Sequence, residues 1–160
     1  MSKRTHRNPF DQYPHDKTIL LGKAKDDTNC RHGYGLELQR ITGQTACAYC
    51  DLSLVGTYEH WLLMSVDHVV PKRDMGDNGL GVEPKWIEGL VNRVLCCSAC
   101  NQFLQSSISK LLGPTVRKPE SLGEFVKLRD KAFDAKRRKA KKSHENELAF
   151  YQSQPWTIAN

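Results

Sequence analysis

The stretch "VNRVLCCSACNQ" (residues 91–102) puts three cysteines into five positions, Cys96, Cys97 and Cys100, with Asn92 and Asn101 on either side. Of these, Cys97 and Cys100 have the two-residue gap that lets a tight turn aim both sulfurs at one metal. A second such pair, Cys47 and Cys50 in "CAYC", lies upstream, and 46 residues separate the two pairs. That separation exceeds the roughly 15–20 residues of a compact zinc ribbon. The pairs therefore predict one zinc ion held by four cysteines and closing a large insert. Ordinary thiols or a redox C-x-x-C are the competing reading. Such a site contributes about 10–16 kcal/mol to folding, and with four protein ligands it has no open position for chemistry. The two leftover cysteines, Cys30 and Cys96, read as small buried apolar side chains.

Chemistry has to come from inside the insert. It contains "VDHVVP", with Asp67 next to His68, and Asn92 follows His68 by 24 residues. Phosphodiester hydrolysis needs an activated water, an electrophile on the phosphate and charge neutralisation on the leaving oxygen. Histidine, with a pKa of about 6.5, suits general-base work near neutral pH. An aspartate and an asparagine oxygen are hard ligands suited to Mg²⁺ or Mn²⁺. Strand side chains alternate, so Asp67 and His68 cannot point the same way from a regular strand.

In order, C-x-x-C, D-H-x-x-P, N-x-V-L and C-x-x-C-N, with a nine-residue step from Asn92 to Asn101, resembles the HNH nuclease family. The resemblance is to the branch of the ββα-metal fold with a four-cysteine zinc staple. It implies an α+β fold with a small ββα-metal core, His68 as general base, and Asp67 and Asn101 holding the catalytic Mg²⁺ or Mn²⁺. Asn92 would fix the loop and the orientation of the His68 ring. Many relatives carry a lysine three residues after the final asparagine, where this chain has Leu104. Glu59 and His60 form a second acid–histidine pair, out of register with the motif and read as structural.

Secondary structure is expected as a helix over residues 34–42 ending at Gly43, a strand through "TYEHWLLMSVDHVV", and a glycine-rich loop over 73–83. A short helix from Pro84, a strand "NRVLCC" and a helix "NQFLQSSISKLL" complete the insert and its exit. A further helix starts at Ser121 with Glu124 as its capping-box partner. Three segments follow: a loosely ordered polar lead-in (1–32), the nuclease domain (33–113) and a basic helical arm (114–160).

Net charge is +6, and residues 114–160 hold 11 Lys/Arg against 6 Asp/Glu. That asymmetry points to a polyanion, DNA first. Lys136, Arg137, Arg138, Lys139, Lys141 and Lys142 are the candidate phosphate contacts, helped by Lys127, Arg129 and Lys131. These charges surround the helix axis at about 100° per residue, so the stretch is expected to bury no face. His6, His15, His32 and His144 are expected to face solvent. No run reaches the roughly 20 apolar residues of a membrane span, and no secretory signal opens the chain, so the expected location is cytoplasmic. The leading expectation is a metal-dependent endonuclease acting on DNA. A zinc-stapled DNA-binding module without catalysis and an RNA-directed nuclease are the alternatives. A homodimer is compatible with the sequence but not indicated by it.

Overall fold

The computed structural model describes residues 8–15, 17, 19, 31–77 and 79–156. The elements run α1 (Tyr34–Thr42), α2 (Tyr58–Leu62), β1 (Met64–His68), α3 (Pro84–Ile87), β2 (Arg93–Cys97), α4 (Ser98–Phe103), α5 (Ile108–Leu112) and α6 (Leu122–Ser153). The protein is thus mixed helix and strand, built around one small sheet. Among the described residues no helix is long and apolar enough to cross a membrane.

Strands β1 and β2 pair antiparallel, with Met64 opposite Cys97, Asp67 opposite Val94 and His68 opposite Arg93. Alternation puts Ser65 and Asp67 on one face and Val66 and His68 on the other. Helices α4 and α6 serve the first face: Asn101 of α4 donates to Ser65, and Lys136 of α6 donates to Asp67. On the second face the Arg93 guanidinium lies 4.5 Å from the Tyr34 ring of α1.

Two strands alone are marginal in water, and their outer edges are exposed polar backbone. The free edge of β2 is satisfied by three separate segments. Tyr13 Oη donates to the Arg93 carbonyl, Leu95 N–H donates to Gln44 Oε1, and Ala48 N–H donates to the Leu95 carbonyl. The lead-in expected to be loosely ordered thus has a packed part. Phe10 and Tyr13 are buried, with Phe10 edge-on to Phe133 of α6 at 5.1 Å between centroids. Polar flanks masked those two aromatic anchors.

Helix α1 and its stop at Gly43 agree with expectation: Gly43 sits at φ 70° and its N–H returns to the Gln39 carbonyl. The segment expected as one long strand splits. Thr57 caps α2 by accepting from the His60 N–H at 3.2 Å, and only residues from Met64 onward pair as strand. The helix expected over residues 101–112 also splits, into α4 and α5. Ser107 caps the second piece, and buried Asp74 accepts the Ile108 N–H at 3.0 Å. In the glycine-rich loop, a Cβ on Gly79 would lie 2.2 Å from the Arg73 carbonyl oxygen, so only glycine fits there.

Helix α6 starts at Ser121, whose Oγ accepts the Glu124 N–H; the Glu124 carboxylate accepts from the Glu120 N–H. Its buried stripe runs Phe125, Arg129, Ala132, Phe133, Lys136, Ala140 and so continues through the basic run. The expectation that this run buries no face is therefore wrong. Ala140 is small, and Lys136 is neutralised where it enters the core.

Candidate functional site

The candidate metal centre is built from two turns. In the first, the Cys47 N–H donates to the Leu52 carbonyl and the Asp51 N–H donates back to the Cys47 carbonyl. Asp51 takes a left-handed φ of 63°, which folds the chain sharply after Cys50. The second is the junction of β2 and α4, where Cys97 caps the helix by accepting the Cys100 N–H at 3.4 Å. Together these gather Cys47, Cys50, Cys97 and Cys100 with all ligand atoms within 4.8 Å of one another, a cluster able to hold a metal ion such as zinc. A tetrahedron with Zn–S bonds of about 2.3 Å has sulfur–sulfur edges of about 3.8 Å. Cys50 and Cys97 stand 3.7 Å apart, so the donor set fits the ion. The Cys97 and Cys50 thiols are both held below their ordinary pKa, first by the hydrogen bond from Cys100.

Cys96 is fully buried, as expected, and takes no part in the cluster. Cys30 lies outside the described residues. His144, expected in solvent, instead reaches Cys100 Sγ with Nε2 at 3.1 Å and packs edge-on to Phe103. Its signal was periodicity: Lys136, Ala140 and His144 step along α6 by four residues, which keeps them on one face.

Asp67 and His68 are separated by the strand. Asp67 is buried, and its Oδ2 accepts from Tyr49 Oη at 2.6 Å and from Lys136 Nζ at 2.6 Å. Lys136 also donates to the His68 carbonyl at 2.9 Å. Asn101 faces the same side of the hairpin but has other partners: its amide donates to Ser65 Oγ at 2.9 Å, and its oxygen accepts from Gln105. The two expected ligands of a catalytic ion are thus each engaged with other partners, and an ammonium group already neutralises the carboxylate. As they stand these residues do not fit a divalent ion.

His68 emerges on the opposite face in a different constellation. Its Nε2 lies 3.3 Å from Glu88 Oε2, which also accepts from Arg93 Nη2 at 2.5 Å, while Glu88 Oε1 accepts from Lys72 Nζ at 2.8 Å. Burial lowers the His68 pKa to about 4, and the Arg93 charge adds to the effect, so the ring is neutral at pH 7. Burial alone would raise the Glu88 pKa, but hydrogen bonds from Lys72 and His68 hold it below the ordinary value. Glu88, Lys72 and Arg93 were not singled out from the sequence. Register is the signal that finds Arg93, because the residue directly across from His68 must share its face.

Asn92 is fully buried and clamps the turn after His68. Its Oδ1 accepts the Val70 N–H, and its amide donates to the Val70 and Ile87 carbonyls, all at 2.8–2.9 Å. It fixes the loop as expected, whereas the contact to the His68 ring comes from Glu88.

The basic arm divides. Lys136 and Arg129 are buried and unavailable to phosphates; Arg129 donates to the Val91 carbonyl at 2.7 Å and stacks 3.7 Å from the Phe10 ring. Arg138, Lys139, Lys141 and Lys142 are exposed and Arg137 half-buried. Arg137, Arg138 and Lys141 line an open groove of ≈ 1060 Å³ that runs past Cys50 and Ser98 of the metal centre. The chain matches no protein-family model, no curated protein and no solved structure.

Proposed function

We propose that this chain is a zinc-stapled endonuclease of the HNH type, acting on DNA, with His68 as its general base. The observation that carries the reading is the placement of His68. It stands at the end of a short strand, half-buried, on a turn locked by Asn92 and in one cluster with Glu88, Lys72 and Arg93. A neutral imidazole so placed can take the proton of a water attacking phosphorus. The hairpin followed directly by α4, with the cysteine cluster at their junction, supports the ββα-metal reading. Net basic charge and the groove beside Arg137, Arg138 and Lys141 support a polyanionic substrate.

Mg²⁺ or Mn²⁺ at Asp67 and Asn101 belongs to the resemblance, and a bound ion would act as a Lewis acid on the phosphate. In this structure Lys136 occupies the Asp67 carboxylate. That same ion pair favours a second reading, a zinc-stapled DNA-binding module without catalysis.

Supercoiled plasmid separates the two. Wild type is expected to nick or linearise it, and His68→Ala to bind without cutting. Parallel reactions with and without Mg²⁺ or Mn²⁺ establish whether an ion is needed, and an RNA substrate tests the RNA-directed alternative. Retarded plasmid with no cleavage under any ion would sink the enzyme and leave the module.

A further inference from the structure

We propose that Lys72 and Arg93 form a phosphate-binding subsite beside His68, which the chain's own Glu88 carboxylate fills in the free protein. The subsite stands on geometry, and only the identity of its anion, a backbone phosphodiester, rests on the nuclease reading.

Three donors from three segments converge on one carboxylate. Arg93 comes from β2, Lys72 from the turn after β1, and His68 from the end of β1 itself. Arg93 is the informative member. Its side chain is only 5% exposed, and besides stacking on Tyr34 its guanidinium pairs, among the described residues, with a carboxylate that is 31% exposed. Its Nε is buried and has no hydrogen-bond partner among the described residues. Arginine–carboxylate pairs are frequently bidentate. Here Oε1 goes to Lys72 instead, so Arg93 meets Glu88 through Nη2 alone and the one carboxylate is shared between two cations.

A phosphodiester offers what Glu88 offers, two terminal oxygens sharing one negative charge, with further oxygens for an additional donor. Glu88 follows the short helix α3, and its half-exposed side chain can turn to solvent without opening the core. Arg93 stays in place against Tyr34, and its strand stays paired. Glu88 is then an internal competitor: it keeps two cations soluble and ordered in the free protein, and it weakens DNA binding by the affinity needed to displace it.

The test is fluorescence anisotropy of a labelled DNA duplex with the full-length, zinc-loaded chain and no other divalent ion, from 50 to 200 mM salt. Glu88→Gln keeps the shape and removes the charge, and is expected to bind about 3- to 10-fold tighter. Glu59→Gln, at an exposed site on α2, removes the same charge elsewhere and sets the background. Lys72→Gln is expected to weaken binding and lower the salt slope by about 1. Because Lys72 is 58% exposed, this variant leaves the core intact. A Glu88→Gln gain no larger than that of Glu59→Gln, or an unchanged slope for Lys72→Gln, overturns the subsite. If Glu88→Gln gains affinity but wild type cuts no DNA, the hydrolytic reading fails and the subsite stands.

Discussion

Replacing Lys136 with methionine tests how α6 is joined to the sheet. The substitution keeps the apolar stem and deletes the ammonium that bonds Asp67 Oδ2 and the His68 carbonyl. The lysine and aspartate side chains are 1% and 6% exposed, so water cannot replace the lost partner. The Asp67 carboxylate then keeps only the Tyr49 hydroxyl. Removing one member of a buried ion pair costs about 3–5 kcal/mol, most of it from the charge left behind. With a urea slope of about 2 kcal/mol/M, the unfolding midpoint should fall by about 1.5–2.5 M. Circular dichroism at saturating zinc reads this directly. Pairing Lys136→Met with Asp67→Leu removes both charges and should recover most of the loss. Lys139→Met, at an exposed position on the same helix, should cost no more than about 0.5 kcal/mol. A fall of less than about 0.5 M for Lys136→Met, or a double variant no more stable than the single one, would refute the argument.

The remaining predictions concern the metal and pH. Metal analysis should find one zinc per chain, and Cys47→Ala or a strong chelator should unfold the domain, because about 10–16 kcal/mol of binding is at stake; a folded, zinc-free Cys47→Ala protein would count against the staple. His68 is protonated at about pH 4 when folded, against an ordinary 6.5, so between those values the unfolded chain binds the extra proton. Its contribution to stability is complete above pH 6.5 and should fall by about 1.4 kcal/mol per pH unit until about pH 4. His68→Gln should flatten that part of the pH–stability curve relative to wild type, and identical curves would show that the ring is not held neutral by burial.

The features legible from the sequence were those set by local spacing. Two C-x-x-C turns, the Ser121 cap and the Gly43 stop each depend on residues three or four apart, and the structure has all of them. The failures share one cause, which is long-range contact. Lys136 reads as a solvated phosphate ligand because its neighbours are charged, and nothing nearby in sequence reveals that Asp67, 69 residues away, receives it. His144 and the Cys100 thiol are 44 residues apart, and Tyr13 reaches Arg93 across 80. Splitting of the expected strand and helix was partly local, through the Thr57 and Ser107 caps, but Asp74 at the second break again comes from elsewhere.

Strand alternation separates Asp67 from His68, and the pairing register extends that separation across the hairpin: Arg93 joins His68 on one face, and Asp67 meets what packs on the other. What packs there is α6, so the basic arm is part of the core as well as a candidate DNA contact. The Lys136–Asp67 pair is the joint between the sheet and the helix that carries Arg137, Arg138 and Lys141, so a cation competing for Asp67 would have to break that joint.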